Sequence, residues 1–238
     1  MEVRNGFIDG VFNYCDRWCE TCALTSWCRL FADHARLDAA QDPTLKALVD
    51  APPLPQDVPP PPPRWMQEMI EDLNAAAADV ASGKVSIPSV EVDVDKHPLV
   101  RRARDYGTNV HKWLKKQEGA RDWPATDPRS VIAWFSIQIG AKIFRALFSR
   151  ADAEEWDEDP GFHDDDGSAK VALIGIERSH AAWLRLAEEG VNTFDFIKDL
   201  VWLGKALERE FPRARAFVRP GFDEPEAVAR LPASQGQR

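Results

Sequence analysis

The chain has little of what usually announces a function. It carries no Walker loop, no dinucleotide-binding glycine fingerprint, no His-Glu-x-x-His and no Ser-His-Asp order, so phosphate-cradling and triad chemistries have no residues to start from. Its five histidines are scattered. Positive charge is in deficit: 30 Lys and Arg against 39 Asp and Glu give a net charge of −9, which argues against a nucleic-acid backbone or an anionic membrane as the main partner. Uninterrupted apolar runs are missing too. The most apolar stretch, 130–149, is broken by Ser136, Gln138, Lys142 and Arg145, and residues 1–14 mix acids, Asn and Gly without a signal-like core, so the expectation is a cytoplasmic protein with no membrane span. Strand signals are sparse, and Tyr occurs twice against nine Trp, which points to a core filled by bulky anchors.

What is present divides by composition. Residues 1–50 hold all four cysteines, in what reads as two short helical stretches. The stretch 51–64, "APPLPQDVPPPPPR", predicts an extended polyproline spacer, with docking on a proline-recognition domain the less favoured role. Residues 65–210 read as a helical bundle: a candidate helix at 64–83, a short extended segment at 86–95, then four long helices near 97–118, 127–149, 168–188 and 193–210. "TDP" at 126–128, Ser168 and Asn192-Thr193 mark starts; Gly119 and Gly190 mark stops. Short connections between helices of this length predict an antiparallel bundle. In the candidate helix 168–188, Ile174, Ala181 and Leu184 share a stripe; in 193–210, Ile197, Leu200, Val201, Gly204 and Leu207 share another. The acid-rich connection 150–167 fails as a calcium loop, since setting Gly167 at the sixth position puts Phe162 and Leu173 where carboxylates are required. Residues 211–238 have the composition of a flexible tail.

The cysteines carry the plainest chemistry. Cys15, Cys19, Cys22 and Cys28 form C-x3-C-x2-C-x5-C, and in a reducing compartment such clustering favours metal binding over disulfides. The first three spacings are i, i+4 and i+7, which places them on one face if the segment is helical; Thr25-Ser26 then caps a second helix with Cys28 in its first turn. Four ligands close the site. Helical spread suits a [4Fe–4S] cluster better than zinc, whose sulfurs must approach within about 4 Å of one another. Tyr14, Trp18, Trp27 and Phe31 would ring the centre, and His34 reads as a surface histidine rather than a substitute ligand. Cys15-x3-Cys19-x2-Cys22 also resembles the cluster motif of radical S-adenosylmethionine enzymes. That resemblance spans these three cysteines, meets Thr21 where the family has an aromatic residue, and implies a β/α barrel that this helical chain does not predict.

A second constellation lies in the bundle. Glu177-x-x-His180 is similar to the i, i+3 pair of ferritin-like di-iron bundles, although the second pair and the two facing glutamates of that family are missing. Gly107, Gly140, Gly175 and Gly204 fall near the middle of the four long helices, at levels that could also receive Tyr106, Gln138, Glu177, His180 and Asp199. Close helix packing explains them more simply than a pocket. The expected protein is therefore all-α: a small N-terminal four-cysteine metal module before a helix bundle. Its cofactor is a [4Fe–4S] cluster with an electron-transfer or redox-responsive role, and its redox or protein partner is unnamed. The alternatives are a structural zinc site on an interaction module and, third, a bundle enzyme with a metal or small-molecule site at Glu177 and His180.

Overall fold

The computed structural model describes residues 1–40, 94–117, 123–156 and 165–231, with isolated positions between 64 and 84. The proline spacer, the 64–83 helix and the 86–95 segment lie almost wholly outside these residues, as do the Gly119 stop and residues 232–238. Residues 1–33 and 92–238 make one compact unit and 34–91 a second. Among the described residues the first unit is mostly helical, with strand confined to one small hairpin.

After α1 (Arg29–Ala40), the long helices are α2 (Pro98–Leu114), α3 (Pro128–Trp156), α4 (Asp165–Glu188) and α5 (Phe194–Glu210). Their ends follow local chemistry. At the head of α2 the His97 imidazole accepts from the Leu99 amide at 3.2 Å with Pro98 in the first turn; before α3 the Asp127 carboxylate accepts from Arg129 at 2.7 Å with Pro128 behind it. Gly190, at φ 87°, ends α4: its amide reaches Ala187 O and the Val191 amide reaches Leu186 O, both at 3.0 Å. α3 runs on to Trp156 and α4 starts at Asp165, so the acid-rich connection is shorter than the sequence predicts. Asp165 and Asp166 sit in the first turn of α4, where the exposed amides favour carboxylates.

The four long helices close a ring of contacts: α2 on α3, α3 on α4, α4 on α5 and α5 back on α2. α3 supplies Ile132, Phe135, Ile139, Ile143 and Ala146, all 0–1% exposed, at helical spacing. On α4 the stripe that turns inward is Leu173, Ile176, Trp183 and Leu186, while Leu184 is 45% exposed and Ala181 faces out. α4 is apolar on more than one face, and packing on Phe135 and Ile139 selects between them. On α5, Leu200 and Leu207 are buried as their spacing predicts, but Val201 is exposed.

The two ends of the chain depart most from expectation. Strands β1 (Val3–Arg4) and β2 (Phe7–Ile8) pair antiparallel around Asn5-Gly6, whose φ values of 52° and 82° are those of a tight hairpin turn. The stretch from 211 on is no tail up to Leu231. Phe211 is buried under the Arg150 guanidinium at 3.8 Å, a short turn at Ala214–Ala216 crosses α4, and α6 (Pro225–Ala229) follows. Phe222, Val228 and Leu231 then pack on Ile8, Val11 and Leu24. Apolar residues spaced along this segment give it a surface to bury that its polar composition conceals.

Candidate metal centre

The cysteine segment is built from turns rather than a helix. Cys15 follows a 3-10 turn at Val11–Asn13, Cys19 opens one at Cys19–Thr21, and a third at Thr25–Trp27 ends on Cys28, whose carbonyl accepts the first α1 bond from Ala32 at 3.1 Å. The shared helical face of Cys15, Cys19 and Cys22 is thus absent, and Cys28 precedes α1 instead of lying within its first turn. Two features override the helical spacing. The Asp16 side chain accepts from the Trp18 amide at 3.1 Å, offering the backbone a turn in place of a helix. Arg17 adopts φ 58°, a left-handed value that a side chain other than glycine takes at a cost.

The turns bring all four cysteines to the wall of one small, partly open cavity of about 20 Å³, shared with Val11, Phe12, Asp16, Arg17, Trp18, Leu24, Thr25, Phe31 and Phe222. All four thiols are free and half-buried. Trp18 and Phe31 border the space as the sequence suggests, whereas Tyr14 packs on Phe217 (4.7 Å between ring centres) and Trp27 joins the small core. Phe222, from the far end of the chain, takes a place that no local signal marks. His34 is exposed. Among the described residues, no three His, Cys, Asp or Glu side chains are grouped as ligands of a single metal ion.

Electrostatics separate this site from a reactive-thiol site. Burial pushes the Cys15, Cys19 and Cys22 thiols above the ordinary value; for Cys19 the neighbouring Cys15, Cys28 and Cys22 add to the rise. A nucleophilic cysteine needs the opposite shift. Two backbone amides oppose the rise: Leu24 N–H donates to Cys22 Sγ at 3.4 Å, and the Arg17 amide faces Cys15, which is what the left-handed turn achieves. N–H donors aimed at sulfur stabilise thiolate, the form a metal binds.

The cysteine loop is pinned to the bundle around Asp16. The Trp134 indole donates to Asp16 O at 2.7 Å, Arg178 pairs with the Asp16 carboxylate at 2.5 Å, and Trp18 stacks on Trp134 with ring centres 5.5 Å apart. The buried ammonium of Lys142 donates to Asn13 O at 2.8 Å. Gly167 leaves room for Tyr14: a Cβ there would lie 2.3 Å from its ring.

Glu177 and His180 share an open groove between α4 and α5 instead of facing the bundle interior. Glu177 is exposed and paired to Arg215 at 2.6 Å, and Arg215 also holds Glu208. The proposed layer is dispersed. Tyr106 is buried under the Trp183 indole N–H (3.1 Å), its hydroxyl pushed up to about 12 chiefly by burial; Asp199 pairs with Arg102 at 2.6 Å; Gln138 borders a different groove. Close packing accounts for two of the glycines, since a Cβ on Gly107 would meet Ser136 O at 2.9 Å and one on Gly175 would meet Phe135 at 3.0 Å. Gly140 and Gly204 have ordinary clearances of 3.9 and 3.6 Å.

No protein-family model, curated protein or solved structure matches the chain.

Proposed function

We propose that Cys15, Cys19, Cys22 and Cys28 hold one closed metal centre, that the centre is a [4Fe–4S] cluster, and that the protein acts in electron transfer or as a redox-responsive element. One observation supports the reading: all four cysteines of the chain line a single cavity together with Phe12, Trp18, Phe31 and Phe222. Amide donors toward Cys15 and Cys22 and a low-dielectric aromatic wall are the means by which a protein tunes such a cluster. With four protein ligands the cluster exchanges electrons and binds no substrate at iron. The finer architecture belongs to the same proposal: a four-cysteine module attached to an antiparallel four-helix bundle, in a cytoplasmic protein.

A structural zinc is the second reading. The cavity of about 20 Å³ has room for one ion, and the cysteines stand on turns without the rise of a continuous helix between them. Anaerobic purification with iron, sulfide and zinc analysis decides. Iron and sulfide in equal amounts with a broad visible absorption are expected; stoichiometric zinc without colour would overturn the cluster. A metal site at Glu177 and His180 has no comparable support, because Arg215 already neutralises Glu177.

A further inference from the structure

Beside the cysteine cavity lies a second space whose contents the metal centre does not explain. It is a surface groove of about 560 Å³, bordered by Trp18, Trp123, Trp134, Ile137, Gln138 and Glu20. The size falls within the range of small-molecule sites. Three indoles supply apolar walls, Gln138 supplies an amide, and Glu20 is the one charged side chain among the described residues that border the groove. Among the described residues Trp18 is the one aromatic residue common to this groove and the cysteine cavity, and it stacks on Trp134 at an interplanar angle of 19°. Ile137, 76% exposed in α3, stands at the groove's edge.

We infer that this groove binds a flat, uncharged, fused-ring aromatic carbonyl compound, the chemistry shared by quinones and the flavin ring, within one indole of the cysteine centre. Flat rings stack on indole faces, carbonyl edges accept from the Gln138 amide, and the Glu20 carboxylate disfavours a phosphorylated ligand. The significance of the neighbouring centre rests on the metal reading above, but the binding itself does not.

The test uses the full chain purified anaerobically, with iron, sulfide and zinc measured on the sample that is titrated. Calorimetric titration with menadione, riboflavin and flavin mononucleotide separates the sources. Binding of menadione or riboflavin with a Kd below about 1 mM is expected, whichever of the two binds naming the class. Trp123→Ala and Ile137→Ser should each weaken it, the former by about tenfold, the loss of one stacking face. Both variants change half-buried or exposed side chains and should keep the metal content. Failure of both probes to bind, or unchanged affinity in Trp123→Ala, would overturn the inference, and flavin mononucleotide binding as tightly as riboflavin would overturn the charge selection. An iron–sulfur protein that binds neither probe loses the groove and keeps the cluster. A zinc protein that binds one loses the cluster and keeps the groove.

Discussion

The helical core and the cysteine shell are stabilised by different means, although they belong to one compact unit. The four long helices bury a continuous set of large side chains, among them Trp183, Tyr106, Phe135 and Ile139, each at most 1% exposed. The shell buries Ile8, Val11 and Leu24 with Phe222, Val228 and Leu231 packed on them, and otherwise consists of a small hairpin, 3-10 turns and a left-handed Arg17. A core of three residues contributes only a few kcal/mol at about 1.5–3 kcal/mol for each fully buried aliphatic side chain, so a structure of this kind is commonly closed by a metal or another cross-link. The contrast teaches where a metal centre would matter: it would be needed to hold the shell, and the bundle would persist without it.

The largest effect is expected from striking the bundle. Trp183 is fully buried, stacks on Phe196 with ring centres 4.2 Å apart and donates its indole N–H to Tyr106. Trp183→Ala should cost about 3–5 kcal/mol and lower the denaturation midpoint of the whole unit. A midpoint unchanged within error would mean that the helices do not depend on this core.

The second effect is local and separates the regions. Cys22→Ser replaces one proposed ligand and exchanges the sulfur that accepts from the Leu24 amide for a hydroxyl, and should weaken metal binding by more than the ~10–100-fold that outer-shell changes cost. Hydrogen exchange should then accelerate in residues 1–33 and 217–231 while α2 to α5 stay protected. If the helices lose protection together with the shell, the two regions are one cooperative unit and the comparison fails.

These regions also differ in how far the sequence discloses them. All four long helices are legible because their signals are local: Pro98, Asp127-Pro128 and Gly190 each act within a turn of the end they mark. That the four cysteines between positions 15 and 28 lie near one another is legible as well, and they border one cavity. The site's backbone is not. A spacing of i, i+4, i+7 is equally compatible with turns, and Asp16 together with Arg17 decides the matter through a side-chain bond and a left-handed φ. Asn5-Gly6 before β2 is a local hairpin signal, independent of the cysteine spacing. Phe222 had no local signal at all, because its place beside Cys22 and Cys28 is made by chain returning from the far end of α5.

A third effect uses protons to distinguish the shell without metal from the shell with it. Burial raises the Cys15, Cys19 and Cys22 thiols above the ordinary 9.0, so the metal-free fold favours their neutral form. This stability is fully present below pH 9 and is lost as the pH climbs through the raised values. Metal binding has the opposite sign, because each ligand must first give up its proton: apparent affinity should rise by about tenfold per pH unit for each proton released. Competition with a chelator at pH 6.5 and pH 7.5 (~ one unit apart) reads the slope. A flat profile would show that the thiols are already ionised, against the burial that surrounds them.

The smallest effect lies on the seam between the regions. Trp134 holds the cysteine loop in two ways, by its indole N–H to Asp16 O at 2.7 Å and by its stack on Trp18. Trp134→Phe keeps an aromatic face and removes the donor, leaving a part-buried carbonyl without that partner, at a cost of about 1 kcal/mol. Arg178 still holds the Asp16 carboxylate and Lys142 still holds Asn13 O, so the loop should loosen without detaching. The expected readout is faster amide exchange confined to residues 13–19, with the unfolding midpoint of the bundle unchanged and metal content retained. A larger loss that includes metal would mean that the cysteine loop owes its shape to the bundle more than to its own turns. The shell would then be an extension of the helical core, and the metal a consequence of that support instead of its substitute.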